Sequence, residues 1–579
     1  MKKRLTLIYL ILAVQLIVNG QTKLSDTQFL EFKNIPQESI YLHFNSSVLF
    51  TGEYLFYKAY TLNATSNAPS DVSKIAYIEL IDINKASVFK HKIHLTNGMG
   101  FSDFYITPSI PSGNYKLIAY TRWMRNFGKD NYFKTDLTII NPFQTNHSFV
   151  DTTRSETSSI KEVNTLLQKT NALIRLKTNK ASFSKRELVT VNIEAIQAPL
   201  SFGNYSLSVK KIDSMLYSLQ NRTFKSNTTD KRLVFSNKNL VYLPEMRGEL
   251  LSGHIIDKNN NNNVAAYKPI SLSISGKKPI FKTSITNSSG RFYFNLFEPY
   301  NTNEATLQIA TEDTTHFTIK LDEDPPIDFS NLEFRNFKIT EALRPLIQKH
   351  SRYSQIENAY ANLKTNTPIV NEDTPIFYEG VQFTYNLDDY TRFKTVKETI
   401  VEIINELTVQ KVDGKNKLAF KSYTFDKNTL SSLVLVDGNI LKNHDDLFNY
   451  NAKKIDKISL VNSKYRYGGK TYNGIISIMT FKKDFSKTIS QPNNKVFNIK
   501  KVQERKRYFS PNYHMNASNL NRIPDYRTQL LWEPNILLED KSTAIKLYTS
   551  DVTGHYEITL QGVTKQGTLV SVSQMITVK

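Results

Sequence analysis

Over most of its length this chain alternates apolar and polar residues with a period of two, the signature of half-buried strands. Tyr115, Leu117 and Ala119 alternate with Lys116, Ile118 and Tyr120. Ile270, Leu272 and Ile274 alternate with serines, and Phe292, Phe294 and Leu296 with Tyr293 and Asn295. Tyr556, Ile558 and Leu560 carry the same rhythm near the end. Turn signals such as Asn97-Gly98 and Pro111-Ser112-Gly113 separate the runs at the spacing of a sandwich. One strand entry recurs as Gly113-Asn114-Tyr115, Gly203-Asn204-Tyr205 and Gly554-His555-Tyr556. Glycine permits the tight turn and tyrosine starts the buried face, so three entries predict three sandwich modules. Helical spacing is confined to two places. Ile339 to Tyr360 reads as a bracing connector of mixed polarity, and Val396, Ile400, Ile403, Ile404 and Leu407 share one face behind a Thr395/Glu398 capping box.

Four blocks carry more specific patterns. Tyr41-Leu42-His43, Gly52-Glu53 leading into Phe56 to Tyr60, Tyr77 to Asp82, and Gly113-Asn114-Tyr115 to Asn126 come in an order that resembles a macroglobulin-type β-sandwich of secreted bacterial proteins. A second such sandwich is expected where the turn Phe183 to Glu187 precedes Val189, Val191 and Ile193. Ser252-Gly253-His254-Ile255-Ile256-Asp257, followed later by Asn287 to Phe292, resembles the carboxypeptidase-regulatory-like sandwich, which brings no peptidase chemistry with it. Leu433 to Gly438, Lys454 to Val461, a turn ending at Gly469 and Asn473 to Thr480 together resemble the plug of TonB-dependent outer-membrane receptors. The stretch after Ser486 is too short for a membrane barrel of about twenty strands at about ten residues each. The expectation is a plug-like module without its barrel. The fold class expected is mainly β and multi-domain, with Ig/macroglobulin-like β-sandwiches plus one small α+β plug-like domain.

The expected order is a signal peptide over 1–20, a macroglobulin-like sandwich over 21–145 and a second over 165–240. A carboxypeptidase-regulatory-like sandwich over 245–325, a helical connector over 326–372 and the plug-like domain over 375–485 follow. A linker over 486–520 leads to a C-terminal β segment over 521–579, which completes or packs on an earlier sandwich.

Composition sets the compartment. Lys2, Lys3 and Arg4 precede an apolar run from Leu5 to Val18, and Val18-Asn19-Gly20 suits signal cleavage before Gln21. That run is too short to span a bilayer. The absence of cysteine removes disulfides, thiolate metal sites, thiol nucleophiles and the thioester of covalent protease traps. A net charge of +21 raises nucleic-acid binding, but the cations are scattered as singles and pairs. The densest run, Lys500-Lys501 with Arg505-Lys506-Arg507, reads as a solvated linker. A basic surface also suits anionic lipid or polysaccharide at an envelope.

No catalytic motif stands out: there is no His-Glu-x-x-His helix, phosphate loop, dinucleotide fingerprint or Gly-x-Ser-x-Gly elbow. His91 and His94 fall on opposite faces of a strand. His444-Asp445-Asp446 reads as a helix N-cap before Leu447-Phe448. The acidic pairs Asp388-Asp389 and Asp322-Glu323-Asp324 read as solvated, and Trp123 and Trp532 as core or edge anchors. Catalytic residues, cofactors and metal ligands are therefore expected to be none. The single candidate contact is the Asp437-Gly438 turn, where the plug resemblance implies a partner. The reading is an exported, non-catalytic binding or scaffold protein in the periplasm or outer-membrane periphery of a Gram-negative bacterium. Its partner would be an outer-membrane barrel or other envelope protein in a transport or export assembly, with no nucleic acid. The alternative is a non-covalent macroglobulin-like protease-binding protein.

Overall fold

The computed structural model describes residues 32, 34–144, 150–151, 171–219, 235, 241–260, 263–276, 278–310, 316–369, 376–378, 380–412, 414–422, 430–467, 470–488, 494–514, 520 and 522–579. The signal segment 1–20, most of the connector 146–161 and the Gly468-Gly469 turn lie outside them. The fold is mainly β, with multiple sheets in a multi-domain chain. The described chain divides into a larger unit (Thr22–Met246, Pro326–Val370 and Val502–Lys579) and a smaller one (Arg247–Pro325 and Asn371–Lys501).

The larger unit holds two sandwiches, each a three-stranded sheet facing a five-stranded one. In the first, Glu38–Phe44, Tyr54–Asn63 and Met99–Tyr105 cover a sheet ordered Val48–Phe50, Phe133–Ile140, Gly113–Tyr120, Ile75–Ile81 and Ser87–His94. Leu42, Leu55, Tyr57, Ile78, Leu80 and Leu117 close the core between them. The strand Gly113–Tyr120 is buried on both faces despite its alternation. Its outer face is covered by the extended stretch after Pro326, whose Ile327, Phe329, Leu332 and Phe334 pack on this sandwich. Asn114 donates to the Phe337 carbonyl at 2.9 Å. The region expected as a helical connector is therefore extended first and then helical, with an α-helix over Arg344–Ala359 flanked by 3-10 turns at Glu341–Leu343 and Ala361–Leu363.

The second sandwich is built from two distant stretches of sequence. Ile174–Thr178 and Leu188–Ala195 share a sheet with Ser542–Tyr548, and Gly203–Lys211 is flanked by Gln529–Leu538 and Gly554–Thr564. The Gly203 and Gly554 strand entries thus belong to adjacent strands of one sheet, so the three recurring tripeptides mark two sandwiches rather than three. The basic run 505–507, expected as solvated linker, is docked. Lys506 sits 3.0 Å from both carboxylate oxygens of Asp103, and Lys506–Arg507 pairs with Thr367–Pro368. Lys506 keeps about a third of its side chain in water while its ammonium reaches the buried carboxylate of Asp103.

The smaller unit contains a sandwich and an α+β domain. In the sandwich, Glu249–Asp257 pairs with Arg291–Leu296 and Phe317–Leu321, opposite Ile280–Ile285, Pro269–Ile274, Glu304–Ile309 and Lys495–Asn498. In the α+β domain the sheet runs Phe383–Asn386, Ile455–Tyr467, Lys470–Thr480, Leu433–Val436 and Asn439–Ile440, with Leu433–Val436 parallel to its neighbour. The helix Val396–Ile403 carries the capping box from Thr395 and Glu398 and packs Val396 and Ile400 onto one face of that sheet. The other face meets Phe281 of the sandwich through Leu433, Leu435 and Ile475.

Candidate functional site

The Asp437-Gly438 turn joins Leu433–Val436 to Asn439–Ile440 with both residues at positive φ, the geometry of a two-residue hairpin. Its side chain and carbonyls are spent inside the smaller unit. The Asp437 carboxylate accepts from the Thr480 amide at 2.7 Å, the Thr480 hydroxyl at 2.7 Å and the Phe485 amide at 3.2 Å. Burial nevertheless raises its pKa, outweighing those hydrogen bonds. Ser273 donates to the Gly438 carbonyl at 2.8 Å and Ser275 to the Asp437 carbonyl at 2.9 Å. Gln308 then bonds both backbone groups of Ile440, at 2.9 and 3.0 Å. The turn is the peg by which the α+β domain is held on the sandwich.

The other candidate groups are likewise tied. His444 stands at the N-cap position of Asp445–Phe448, but its ring Nδ1 accepts from the Leu418 amide at 2.8 Å instead of capping. His91 bonds the Tyr57 hydroxyl at 2.7 Å. Asp388 pairs with Arg392, and Asp322 with Arg291. Trp123 is fully buried, its indole N–H donating to the Pro36 carbonyl at 2.9 Å. Among the described residues no group of three or more His, Cys, Asp or Glu side chains is placed to hold a metal ion.

The site with the most developed chemistry lies in the larger unit and was not singled out by sequence. A cavity of about 450 Å³ is bounded by both sandwiches, the helix Arg344–Ala359 and the strand around Lys506. His350 projects from that helix and stacks on Phe50, ring centroids 4.0 Å apart and planes 9° from parallel. Its Nε2 lies 2.9 Å from Asp213 and its Nδ1 3.5 Å from Glu53. Burial alone would lower the His350 pKa; the hydrogen bonds and charges of Asp213 and Glu53 outweigh it and hold the pKa above its ordinary value. Burial likewise works against ionised Glu53, yet Lys210 at 3.4 Å and His350 bring its pKa down to about 2. Gly52 lets the helix approach, since a Cβ there would stand 2.9 Å from Ser354 Cβ.

Three further pairs line or back the cavity. Lys364 lies 2.7 Å from each Glu357 oxygen, Arg527 forks onto Asp525 at 2.7 and 2.8 Å, and Lys506 holds Asp103. Phe56 stacks on Trp532 with centroids 5.9 Å apart and meets Tyr508 edge-on at 4.8 Å, while Tyr353 lies 5.1 Å from Tyr526. The Trp532 indole N–H is buried without a hydrogen-bond partner among the described residues. His350 and Glu53 lie far apart in sequence, and no local spacing marks them as partners.

No known protein family matches. No curated protein matches the chain either. Among solved structures it is similar to Salmonella alpha-2-macroglobulin reacted with methylamine at 8% identity, covering 93% of this chain and 39% of that one, with a TM-score of 0.23. It is similar also to the native conformation of Escherichia coli alpha-2-macroglobulin at 8% identity, covering 94% of this chain and 40% of that one, with a TM-score of 0.24. The chain thus spans about two fifths of the length of these structures. Likeness at this level leaves the fold class where the sheet topology places it and bears on nothing else.

Proposed function

We propose that this chain is a non-catalytic, exported binding or scaffold protein of a Gram-negative envelope, working beside an outer-membrane transport or export assembly. The observation that carries the binding reading is the state of the cavity in the larger unit. Lys210, Lys364, Lys506 and Arg527 each have a carboxylate of the same unit within hydrogen-bonding or ion-pair distance, and aromatic rings supply the wall between them. Charges committed to such pairs brace a surface; the aromatic wall offers stacking and shape. The envelope setting rests on the cationic and apolar start of the sequence and on the plug-like order of strands between Leu433 and Thr480. Among the described residues no helix is long and apolar enough to cross a membrane.

The test is affinity purification of the tagged full chain from detergent-solubilised envelopes, with bound proteins identified by mass spectrometry. Stoichiometric recovery of an outer-membrane barrel supports the assignment. Recovery of proteases in its place replaces it with the protease-binding reading.

A further inference from the structure

A second cleft of the larger unit, about 550 Å³, carries a charge pattern unlike the first. Lys58, Arg505 and Lys565 line it and no aspartate or glutamate does. Lys58 is 1% exposed on the strand Tyr54–Asn63. Its ammonium donates to the Asn204 side-chain oxygen and, at 3.2 Å, to the Tyr205 carbonyl, and lies 4.6 Å from the Tyr60 ring centre. All three partners are neutral. Arg505 donates to the Thr96 hydroxyl at 2.6 Å. Neither cation is in a carboxylate ion pair among the described residues. The charge of Glu533 acts on Lys58 from beyond ion-pair distance, and burial outweighs it and drives the Lys58 pKa well below its ordinary value. Lys565 stands at the rim, half exposed and paired with Glu539 at 2.7 Å. Met99, Phe101, Leu537 and Val563 give the cleft an apolar wall.

A buried ammonium without a carboxylate close by is pushed towards its neutral form, whereas every other deep cation of this unit described above is held charged by a carboxylate. An anion entering the cleft supplies the missing charge through charge-assisted hydrogen bonds, while its apolar part meets the wall. We propose that this cleft binds a ligand with an oxyanion head and an apolar flank, the head taken by Lys58 and Arg505. This assignment is independent of the cavity around His350 and of any envelope partner.

The full chain is titrated by calorimetry and thermal melting with hexanoate, hexyl phosphate and hexylammonium at fixed ionic strength. Hexanoate or hexyl phosphate should bind and raise the melting temperature while hexylammonium does not, and the tighter of the two anions identifies the head group as carboxylate or phosphate. Arg505→Gln should weaken that binding by about tenfold or more, the worth of one charge-assisted hydrogen bond. Lys58→Met should abolish it; should that variant fail to fold, Arg505→Gln and Lys565→Gln decide. Equal anion affinity in the wild type and Arg505→Gln, or no binding of either anion at millimolar concentration, overturns the proposal.

Discussion

The Tyr205 hydroxyl donates to the carbonyl of Ser201, four residues earlier, at 2.7 Å. Tyr115 does the same to Pro111 at 2.7 Å and Tyr556 to Val552 at 2.8 Å. The recurring Gly-x-Tyr entry therefore has a physical basis. Each buried tyrosine folds back to tie down the turn that feeds its own strand, the logic of a tyrosine corner. Tyr205→Phe keeps the ring and leaves the Ser201 carbonyl unpaired, so it should cost about 1 kcal/mol. Urea unfolding of the wild type and variant measures it; an unchanged midpoint would show that the ring alone holds the corner.

Such corners explain what the sequence could and could not reveal. Alternation located the strand Gly554–Thr564 and the tripeptide located its start, because both are local properties. The strand Gly203–Lys211 carries the same Gly-x-Tyr entry, and the C-terminal segment is expected to complete or pack on an earlier sandwich. That these two strands pair was not legible, since nothing within either encodes a partner hundreds of residues away. The extended stretch of Ile327, Phe329, Leu332 and Phe334 was hidden for a related reason: it makes no ladder of its own and takes its shape from the sheet it covers. The cavity around His350 depends on the same long-range closure. Its walls come from strands near Glu53, Lys210 and Arg527 and from one helix, and become neighbours only when the C-terminal strands enter the second sandwich. The Asp437-Gly438 turn was legible as a turn; its docking on Ser273, Ser275 and Gln308 was not.

That docking makes the turn sensitive. Gly438 has φ +84°, and a Cβ there would stand 2.8 Å from Pro279 Cβ. Gly438→Ala combines backbone strain with a clash and should destabilise the smaller unit by about 1–3 kcal/mol. Asp437→Ala strands the amides of Thr480 and Phe485 and should cost a similar amount. Hydrogen exchange can localise both effects: faster exchange at Thr480 and Phe485 in Asp437→Ala is expected. Protection there equal to wild type would mean that the carboxylate is dispensable.

The docked basic strand makes a different prediction. Asp103 anchors Lys506 and lies 3.3 Å from the Tyr508 hydroxyl. Lys506 is about one-third exposed, so the pair itself contributes on the order of 1 kcal/mol or less. Asp103→Asn should leave global unfolding nearly unchanged yet loosen this strand locally. Trypsin should then cut after Lys506 or Arg507 sooner than in the wild type. Unaltered cleavage there would show that the backbone pairing with Thr367–Pro368 suffices.

The helix carrying His350 should be pinned in a pH-dependent way. The folded-state pKa of His350 lies above its ordinary 6.5, so its contribution is complete below about 6.5 and disappears as pH rises through the folded value. Glu53 is shifted the opposite way, from 4.5 to about 2, so its contribution is complete above about 4.5 and disappears as pH falls towards 2. Asp213 moves in the same direction as Glu53, against burial, because His350 and Lys211 favour its charged form. All three charges are therefore in place between about pH 4.5 and 6.5, and the helix should be held most firmly there. His350→Ala leaves two buried carboxylates short of a partner and should cost about 3 kcal/mol inside that window. His350→Gln keeps a hydrogen-bonding group without the titration. Exchange rates of the helix amides, corrected for intrinsic pH dependence, should rise above pH 6.5 in the wild type and stay level in His350→Gln. The same pH response in both proteins would remove His350 as the cause and leave the helix held by its other contacts, among them the apolar ones with Phe50 and Leu216 and the Tyr526 amide donating to Glu357.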